Sequence, residues 1–473
     1  MVTSSIRSIA SRARMPLRSA VRSVRRVDPA HGADSRIESG ESVQRILFVN
    51  QYYWPDHAST AQHLTDLAES MAAEGHECHV LCGLGQYKTG VAQRPTYEVH
   101  NGVHIHRVRV SGFGRRTTLH RMCDYLSYYV QALRAAVLMK RFDVVVTLTT
   151  PPLIGLIGTI LRWCRGSRQI FWSMDLHPDA SQALGLMNRT HPMVRLLSGL
   201  SDMIYRQADR VVVLGPYMAD RILSKGVRPE RVREVPVWSR KEEIYPRERI
   251  GHPLREQLGL NDKFVVMYSG NLGLAHQFDE VIAAAEALKS RDEIVFLFVG
   301  DGPRLKEVKA AAEARSLANV RFMDYFPRES LHLSLSVADV HLITMRDCMT
   351  GIVVPGKLYG AMASGRPTLF VGPSHCESAD AIRDSECGTT IPSGRADLLI
   401  AAIERMANEP ETVAELGRNG RRAFLRNFER RFCCELWVDV LRDLIGSPRT
   451  GSVPAPAPAR IGERALPGFE AAA

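Results

Sequence analysis

Residues 339–372 read DVHLITMRDCMTGIVVPGKLYGAMASGRPTLFVG, and this stretch decides the fold class. The runs HLITM and TLFVG are apolar and favour β-structure, which is typical of two buried strands. Between them, the spacing of Leu358 and Met362 predicts a short helix that begins near Lys357. Gly365 stands where a helix C-terminal cap belongs. The stretch therefore predicts a strand, a loop, a helix and a second strand, the repeating unit of an α/β fold.

The start of this helix is a candidate seat for a nucleotide diphosphate. A helix N-terminus presents unpaired N–H groups and a partial positive charge. Gly356 lets a ligand approach the backbone closely, and Lys357 adds a full charge. Taken alone, however, the segment is better explained as an ordinary strand-to-helix turn with a solvated lysine.

The same residues also fit the phosphate loop of nucleotide hydrolases, because GIVVPGK matches G-x-x-x-x-G-K. That pattern needs Ser or Thr next, to hold Mg²⁺, and Leu358 occupies the position. The loop also lies late in the chain rather than after a first strand. We therefore disfavour a phosphate-loop hydrolase.

Outward from this stretch, strands and helical patterns alternate from Arg45 onward. Apolar runs recur as RILFV, HIHRVRV, DVVVTL, RQIFWSM and RVVVLG, and again after a polar, proline-containing segment as KFVVMYSG, EIVFLFVG and NVRFMDY. This rhythm predicts an α/β protein with two Rossmann-like domains. We expect a first domain at residues 44–240, a linker at 241–261, a second domain at 262–425 and a final helix at 426–446.

Composition and charge fit a globular protein with a basic leading segment. The chain has 473 residues, 45% of them hydrophobic, and a net charge of +10. Residues 1–43 are rich in arginine, and their helical pattern separates an apolar from a basic face, as in helices that bind an anionic membrane surface. An organellar transit peptide and a disordered basic tail are the alternatives. We expect no nucleic-acid partner.

Three further features bear on the compartment. Nine cysteines without zinc-like spacing predict reduced thiols and a cytoplasmic protein, which the basic segment would hold at the inner face of the cell membrane. The apolar run from Val144 is split by Pro151 and Pro152, so it predicts a strand and a helix rather than a membrane span. The Pro/Ala-rich residues 447–473 are predicted to be disordered.

The first strand is followed by the small residues Ala58, Ser59 and Thr60. Ser59 and Gln62 have the spacing of a capping box, which predicts that a helix starts after Ser59. The small side chains would let a ligand approach this helix start.

Four segments together resemble the family 4 glycosyltransferases, in the subgroup that builds bacterial cell-surface polysaccharides. PGKLYGAMASGRPTL resembles the donor-site helix, FWSMDLHPDAS a D-L-W-P-E segment, YSGNLGLAHQF the first donor-side loop, and GDGPRL a frequent turn. The resemblance spans residues 45–446. It implies the GT-B fold, in which two Rossmann-like domains face each other across a cleft and the last helix crosses back to the first domain.

The resemblance also implies site residues on both sides of that cleft. Asp175 would bind sugar hydroxyls or orient the acceptor, and His177 would act as a base. The turn Ala58–Thr60 would serve the acceptor side. The candidate donor-binding residues are Gly270, Asn271, Gly300, Gly302, Arg346, Gly356, Lys357 and Glu377. A histidine at the cleft rim and an exposed loop glutamate are the alternatives for His177 and Glu377.

The chain departs from its relatives in acidic residues. Many relatives carry two glutamates separated by seven residues, and Ile352 and Gly360 occupy these places here. We also find no Asp-x-Asp in a plausible donor loop. The chain therefore predicts a metal-independent reaction without a cofactor, in which helix dipoles and cations stabilise the departing diphosphate.

It departs in basic residues as well. Where many relatives grip the diphosphate with an arginine and a lysine, this chain has Asn271 and His276. We expect Lys357 and Arg346 to supply the missing charge.

These patterns predict a retaining glycosyltransferase of the hexosyltransferase type. It would move a sugar from a nucleotide diphosphate donor, a UDP-sugar, to a lipid-linked glycan in surface polysaccharide biosynthesis. Retention is implied by the resemblance alone. A nucleotide-sugar 2-epimerase of the same fold and a non-catalytic nucleotide-sugar-binding protein are the alternatives.

Overall fold

The structure is a computed structural model that describes residues 43–447, except residue 57 and the stretches 85–93 and 112–117. The predictions for the basic segment at 1–43 and the tail at 447–473 therefore lie outside the described residues, apart from residues 43 and 447 themselves.

The first lobe is built on an eight-stranded sheet with the strand order β3-β4-β2-β1-β5-β6-β7-β8. Its strands are β1 (Arg45–Val49), β2 (Glu77–Gly83), β3 (Tyr97–His100), β4 (Val103–Val108), β5 (Val144–Thr147), β6 (Arg168–Trp172), β7 (Arg210–Val213) and β8 (Val232–Glu234). Neighbouring strands are parallel except β3, which pairs antiparallel with β4 at the sheet edge. The rhythm of apolar runs did not predict β3, because its four residues YEVH are too short and too polar.

Helices cover both faces of this sheet. They are α1 (Ser59–Ala73), α2 (Thr118–Leu138), α3 (Gly155–Arg165), α4 (Asp179–Ala183), α5 (Pro192–Gln207) and α6 (Pro216–Ser224). Strand β1 alternates between two cores: Leu47 packs in a core with residues of α2 and α3, and Phe48 packs in a core with residues of α1. A sheet buried on both faces is what the continuous apolar runs indicate.

The capping box predicted at Ser59 and Gln62 is wrong. Helix α1 begins at Ser59 itself, Ala58 is the N-cap residue, and no side chain caps the helix. The amide of Gln62 donates to the carbonyl of Ala58 at 3.0 Å. Ser59 therefore lies one position too late to cap.

The second lobe is built on six parallel strands with the order β11-β10-β9-β12-β13-β14. Its strands are β9 (Phe264–Ser269), β10 (Ile294–Val299), β11 (Val320–Met323), β12 (Val340–Thr344), β13 (Thr368–Val371) and β14 (Gly388–Ile391). Its helices are α7 (Pro253–Gln257), α8 (Asp279–Ala287), α9 (Leu305–Ala314), α10 (Leu331–Ser336), α11 (Lys357–Ala363), α12 (Glu377–Ser385) and α13 (Ala396–Asn408). The order reverses between β9 and β12, and such switch points bind ligands in open α/β sheets. The two sheets confirm the predicted α/β fold with two Rossmann-like halves.

Two last helices join the lobes. Helix α14 (Pro410–Asn427) packs against α11, and α15 (Arg430–Gly446) packs against α1. In α15, the Trp437 ring meets Trp172 of β6 edge-on, with centroids 4.7 Å apart. The boundary predicted at residue 425 falls inside α14, and α7 lies within the segment predicted as a linker.

The segment after β8 ties the lobes together at the hinge. Trp238 Nε1 donates to Asp66 Oδ2 of α1 at 2.7 Å, and Arg240 pairs with the same carboxylate. Glu243 accepts from Arg240 and, at 2.9 Å, from Arg328 of the second lobe. Asp66 is buried, so this network fixes the hinge through a paired charge.

Candidate functional site

The candidate donor site forms where the second sheet reverses its strand order. Gly270 follows β9 and Gly300 follows β10, while Arg346 follows β12. The amide of Gly270 donates to Val299 at 2.8 Å, and the amide of Arg346 donates to Ala275 at 2.9 Å. The carboxyl ends of these strands thus bring residues from distant parts of the chain to one edge.

Glycines at this edge allow backbone and side chains to pack closer than a Cβ atom would permit. Gly270, Gly300 and Gly302 have φ angles of 133°, 138° and 151°. A Cβ on Gly300 would lie 2.3 Å from the Gly270 carbonyl oxygen, and one on Gly270 would lie 2.7 Å from Cε of Lys357. Lys357 therefore rests on the backbone of Gly270, and the donor-binding role of these two residues stays a prediction.

The Lys357 ammonium is held by an imidazole. Its Nζ lies 2.9 Å from Nε2 of His276 and 5.1 Å from the centroid of the Tyr268 ring. Burial and the nearby ammonium lower the pKa of His276 to about 3, so its ring is neutral at physiological pH. Since the ammonium can only donate, Nε2 accepts, and Nδ1–H donates to the carbonyl of Thr344. Burial also lowers the pKa of Lys357 to about 7.

Two further cations converge on the same loop. The carbonyl oxygen of His276 accepts from Arg304 Nη1 at 2.5 Å and from Arg346 Nε at 3.3 Å. Arg346 and Lys357 thus both contact His276, one through its backbone carbonyl and the other through its ring. Arg304 was missed by the sequence analysis, because the string G-D-G-P-x-L marks only a turn.

The other residues of the donor loops have structural contacts. Asn271 is exposed, and its carbonyl accepts from the Tyr268 hydroxyl at 2.9 Å. The amide of Gly302 donates to Asp301 Oδ1 at 2.7 Å. Gly356 precedes α11, and a Cβ there would first meet Val237 of the first lobe at 4.0 Å. The amino end of α11 therefore faces the other lobe.

On the first lobe, Asp175 and His177 follow β6 and approach the loop before α11. The amide of Leu176, between them, donates to the carbonyl of Ile352 at 3.1 Å. Burial raises the pKa of the half-buried Asp175, and His177 opposes this shift. The His177 carbonyl accepts from Ser201 Oγ of α5 at 2.7 Å. The two candidate catalytic residues therefore lie against the segment that leads to Lys357.

The acceptor-side turn lies at the start of α1. Ala58 is buried, Ser59 is exposed, and Thr60 is half-buried. The neighbouring strands β1 and β5 are where the first sheet reverses its order. The turn therefore lies at the carboxyl end of β1, at the corresponding edge of the first sheet.

Glu377 is buried rather than exposed in a loop, with 8% of its surface accessible. Its Oε1 accepts from the amide of Met218 at the start of α6, at 2.9 Å, and its Cγ lies where a Cβ on Gly215 would be. Oε2 is buried and has no partner among the described residues. Burial raises the pKa of this carboxyl. Glu377 therefore contacts the first lobe through Oε1, while Oε2 is left without a partner among the described residues.

Other contacts close the same interface. Tyr217 donates from its hydroxyl to Asp380 Oδ2 at 2.9 Å, and Arg221 donates to the carbonyl of Thr350 at 2.6 Å. A Cβ on Gly351 would lie 2.5 Å from the Tyr217 carbonyl. The loop before α11 thus touches both lobes, a pairing of distant residues that the sequence patterns do not contain.

A separate cavity of about 490 Å³ opens at the amino ends of β6 and β7, away from these residues. Its arginines are engaged: Arg168 donates to Ser447, Arg210 to Asp443 and Arg162 to Asp209. None of the predicted site residues lines it. The arginines that line the cavity therefore bind the end of α15 to the first sheet.

Neither a metal site nor a membrane span is found in the described part of the chain. No group of three His, Cys, Asp or Glu residues there is placed to hold a metal ion. No helix there combines the length and apolarity needed to cross a bilayer.

Comparisons with known proteins agree with this geometry. The family model "Glycosyl transferase 4-like domain" matches residues 60–238, and "Glycosyl transferases group 1" matches residues 252–423. The chain is 26% identical over 310 residues to "Probable glycosyltransferase WbjE" of Pseudomonas aeruginosa, covering 66% of this chain and 77% of that protein. It is 26% identical over 359 residues to an Escherichia coli K12 protein named as a colanic acid biosynthesis glycosyl transferase, WcaI, covering 70% and 84%. Anabaena Alr3699/HepE, solved in complex with UDP-glucose, superposes with a TM-score of 0.63 at 16% identity, covering 84% and 99%.

Proposed function

Because the chain belongs to the family 4 glycosyltransferases and has their GT-B fold, we propose that it transfers a sugar from a UDP-sugar to a lipid-linked glycan. The name of the Escherichia relative, which refers to colanic acid biosynthesis, supports a role in surface polysaccharide biosynthesis. The Anabaena structure with UDP-glucose supports uridine diphosphate as the carrier.

One observation carries the donor side of the proposal: the Lys357 ammonium lies on Gly270 at the switch point of the second sheet. Among the described residues, no ion pair gives Lys357 a carboxylate partner, so its charge stays available to an anion. Arg346 adds a second cation beside it. As the bond between the sugar C1 and the phosphate oxygen breaks, the diphosphate leaves with the electron pair, and these cations stabilise its charge.

On the acceptor side, we assign His177 to the attacking hydroxyl. The acceptor oxygen bonds to C1 while its proton passes to the imidazole, and Asp175 binds hydroxyls or orients the acceptor. Retention follows from the family. Glu377 is the described carboxylate that we assign to the donor sugar in place of the two missing glutamates, and Lys357 and Arg346 supply positive charge without a metal ion.

An exposed apolar surface of the first lobe supports a lipid-linked acceptor. Leu186, in the loop between α4 and α5, is 63% exposed, and Leu196, in the first turns of α5, is 56% exposed, with Met193 between them in the sequence. Hydrogen bonds order the loop: Asn188 Oδ1 accepts from Thr190, and His191 caps α5. Further members of this surface, here called the 186–196 surface, are Met187, Arg189 and Arg195.

The chemistry of the 186–196 surface suits a lipid with an anionic headgroup. An ordered loop that keeps large apolar side chains in water marks an interaction site. Arg189 and Arg195 are exposed and form no ion pair within the part of the chain that the structure describes. Phosphates would pair with these arginines while the apolar side chains meet the lipid.

A donor screen followed by product analysis tests the function. UDP-sugars should raise the melting temperature more than GDP- or ADP-sugars, since a ligand of the folded state stabilises it by mass action. With membrane lipid extract as acceptor, labelled sugar should enter the lipid fraction, and EDTA should leave the rate unchanged. Turnover of the UDP-sugar without acceptor would indicate an epimerase, and binding without turnover would indicate a non-catalytic protein.

A further inference from the structure

His276 is the centre of the cation cluster in the second lobe. Its ring nitrogens contact Lys357 Nζ and the Thr344 carbonyl, and its own carbonyl contacts Arg304 and Arg346. No other residue described at this edge touches three basic side chains. The loop itself is fixed, since the His276 amide donates to Gly273 at 3.1 Å.

We propose that His276 is the positioning residue that aims the Lys357 ammonium at the donor diphosphate. This inference rests on the proposed function. It assigns a role to the position at which many relatives carry a charged lysine, and it explains how an uncharged side chain can serve there.

The geometry restricts the lysine on three sides. Gly270 forms the floor, the Tyr268 ring lies 5.1 Å from Nζ, and the imidazole Nε2 lies 2.9 Å away. A lysine side chain that is free in solution loses rotamer entropy when a ligand fixes it. Because His276 imposes this order before the donor arrives, less of that cost falls on binding.

A neutral acceptor is the group that this position needs. A carboxylate at residue 276 would pair with the ammonium and compete with the diphosphate, while a cation would repel it. The imidazole accepts one hydrogen bond and leaves the positive charge uncompensated. Separately from the ring, the backbone carbonyl of His276 accepts from Arg346 Nε at 3.3 Å.

A pH dependence follows from the same contacts. Tyr268 on β9 and His276 on the following loop face Lys357, while Arg304 before α9 and Arg346 after β12 contact the His276 carbonyl. The acid nearest this cluster is Glu307 of α9, which pairs with Arg304. No described carboxylate forms an ion pair with Lys357, so none there holds the proton on its amine. Since the pKa of Lys357 is about 7, donor binding should be strong below this pH and weaken as the pH rises through it.

Two substitutions of equal size distinguish the orientation of the Lys357 ammonium from the simple filling of space at position 276. In His276→Gln, an amide oxygen can still accept from Lys357 while the amide nitrogen donates to Thr344. In His276→Glu, a carboxylate neutralises the ammonium. We expect UDP to bind H276Q within about threefold of the parent and H276E about tenfold more weakly, as measured by calorimetry. In H276E, the weakening of binding near pH 7 should also disappear.

The same pair on a Lys357→Ala background supplies the decisive readout. If His276 acts through Lys357, the two double variants, with Gln or Glu at position 276 and Ala at position 357, should bind UDP with equal affinity. His332→Gln, on α10 and stacked on Tyr245, is the control for loss of a histidine in this lobe. Equal losses in H276Q and H276E, or a Gln–Glu difference that persists without Lys357, would overturn the inference. Failure of the parent protein to bind UDP would instead overturn the proposed function, and the inference with it.

Discussion

The two sheet edges that face the cleft are built differently. On the second lobe, Lys357 lies on a glycine backbone, contacts an imidazole 2.9 Å away and lies 5.1 Å from the centroid of the Tyr268 ring. On the first lobe, Asp175 and His177 follow β6, and further along the same connection to α5 Leu186 is 63% exposed. A diphosphate has one shape and one charge pattern, so a rigid site suits it. An acceptor that reaches the site from a lipid surface needs open, apolar protein next to the reacting groups.

The largest effect is expected on the acceptor edge. His177→Asn should lower the rate of transfer about a hundredfold, the contribution of a general base, while UDP affinity stays unchanged. His191→Asn is the matched control, because asparagine can still cap α5 there. Rates and UDP affinities of both variants check this. A loss of UDP affinity in H177N would contradict the assignment of donor binding to the second lobe and of acceptor activation to the first lobe.

Gly270→Ala should be the most damaging small change on the donor edge. A new Cβ would lie 2.7 Å from Cε of Lys357, and the lysine end would move away from His276. We expect about thirtyfold weaker UDP binding, the loss of a hydrogen-bonded charge contact. Gly394→Ala is the control, because its φ of 81° imposes similar backbone strain but its Cβ would meet nothing within 4 Å. Equal UDP affinity in the two variants would show that Gly270 does not contribute to the donor site.

Glu377 allows a test of whether a buried interlobe carboxylate also binds the donor. Glu377→Ala removes Oε2, the oxygen without a partner among the described residues. We expect about tenfold weaker binding of the preferred UDP-sugar, and unchanged binding of UDP, if this oxygen accepts from a sugar hydroxyl. Asp384→Ala, on the same helix and exposed, is the control. Equal losses of affinity for UDP and for the UDP-sugar would show that Glu377 contributes only to the contact between the lobes.

The smallest effect concerns the 186–196 surface. Leu186→Ser with Leu196→Ser should weaken binding to vesicles of phosphatidylglycerol and phosphatidylcholine about fivefold, because apolar area no longer leaves water. Melting temperature and UDP affinity should not change. Ile250→Ser with Leu398→Ser, 94% and 38% exposed in the parent, is the control. Equal vesicle binding by both double variants would show that the 186–196 surface does not bind the lipid of the acceptor.

Local patterns in the sequence predicted the elements that carry the donor site. The spacing of Leu358 and Met362 and the position of Gly365 gave helix α11 (Lys357–Ala363) and its end, where Gly365 has a φ of 68°. These features depend on neighbours within one turn. The failed capping box at Ser59 shows the limit of such patterns, because a shift of one residue changes which group caps.

Contacts between distant residues could not be read from the sequence. His276 and Lys357 are 81 positions apart, and Glu377 and Met218 are 159 apart. No periodicity encodes such pairs, since the sheet order and the closure of the lobes bring them together. The substitution of the relatives' lysine by His276 was visible, but its contact with Lys357 was not.

A crystal structure of the protein with UDP tests the central claim most directly. The diphosphate should lie over Gly270, with a phosphate oxygen about 3 Å from Lys357 Nζ and His276 still on the other side of the ammonium. A diphosphate bound elsewhere, for example in the arginine-lined cavity at the amino ends of β6 and β7, would contradict it.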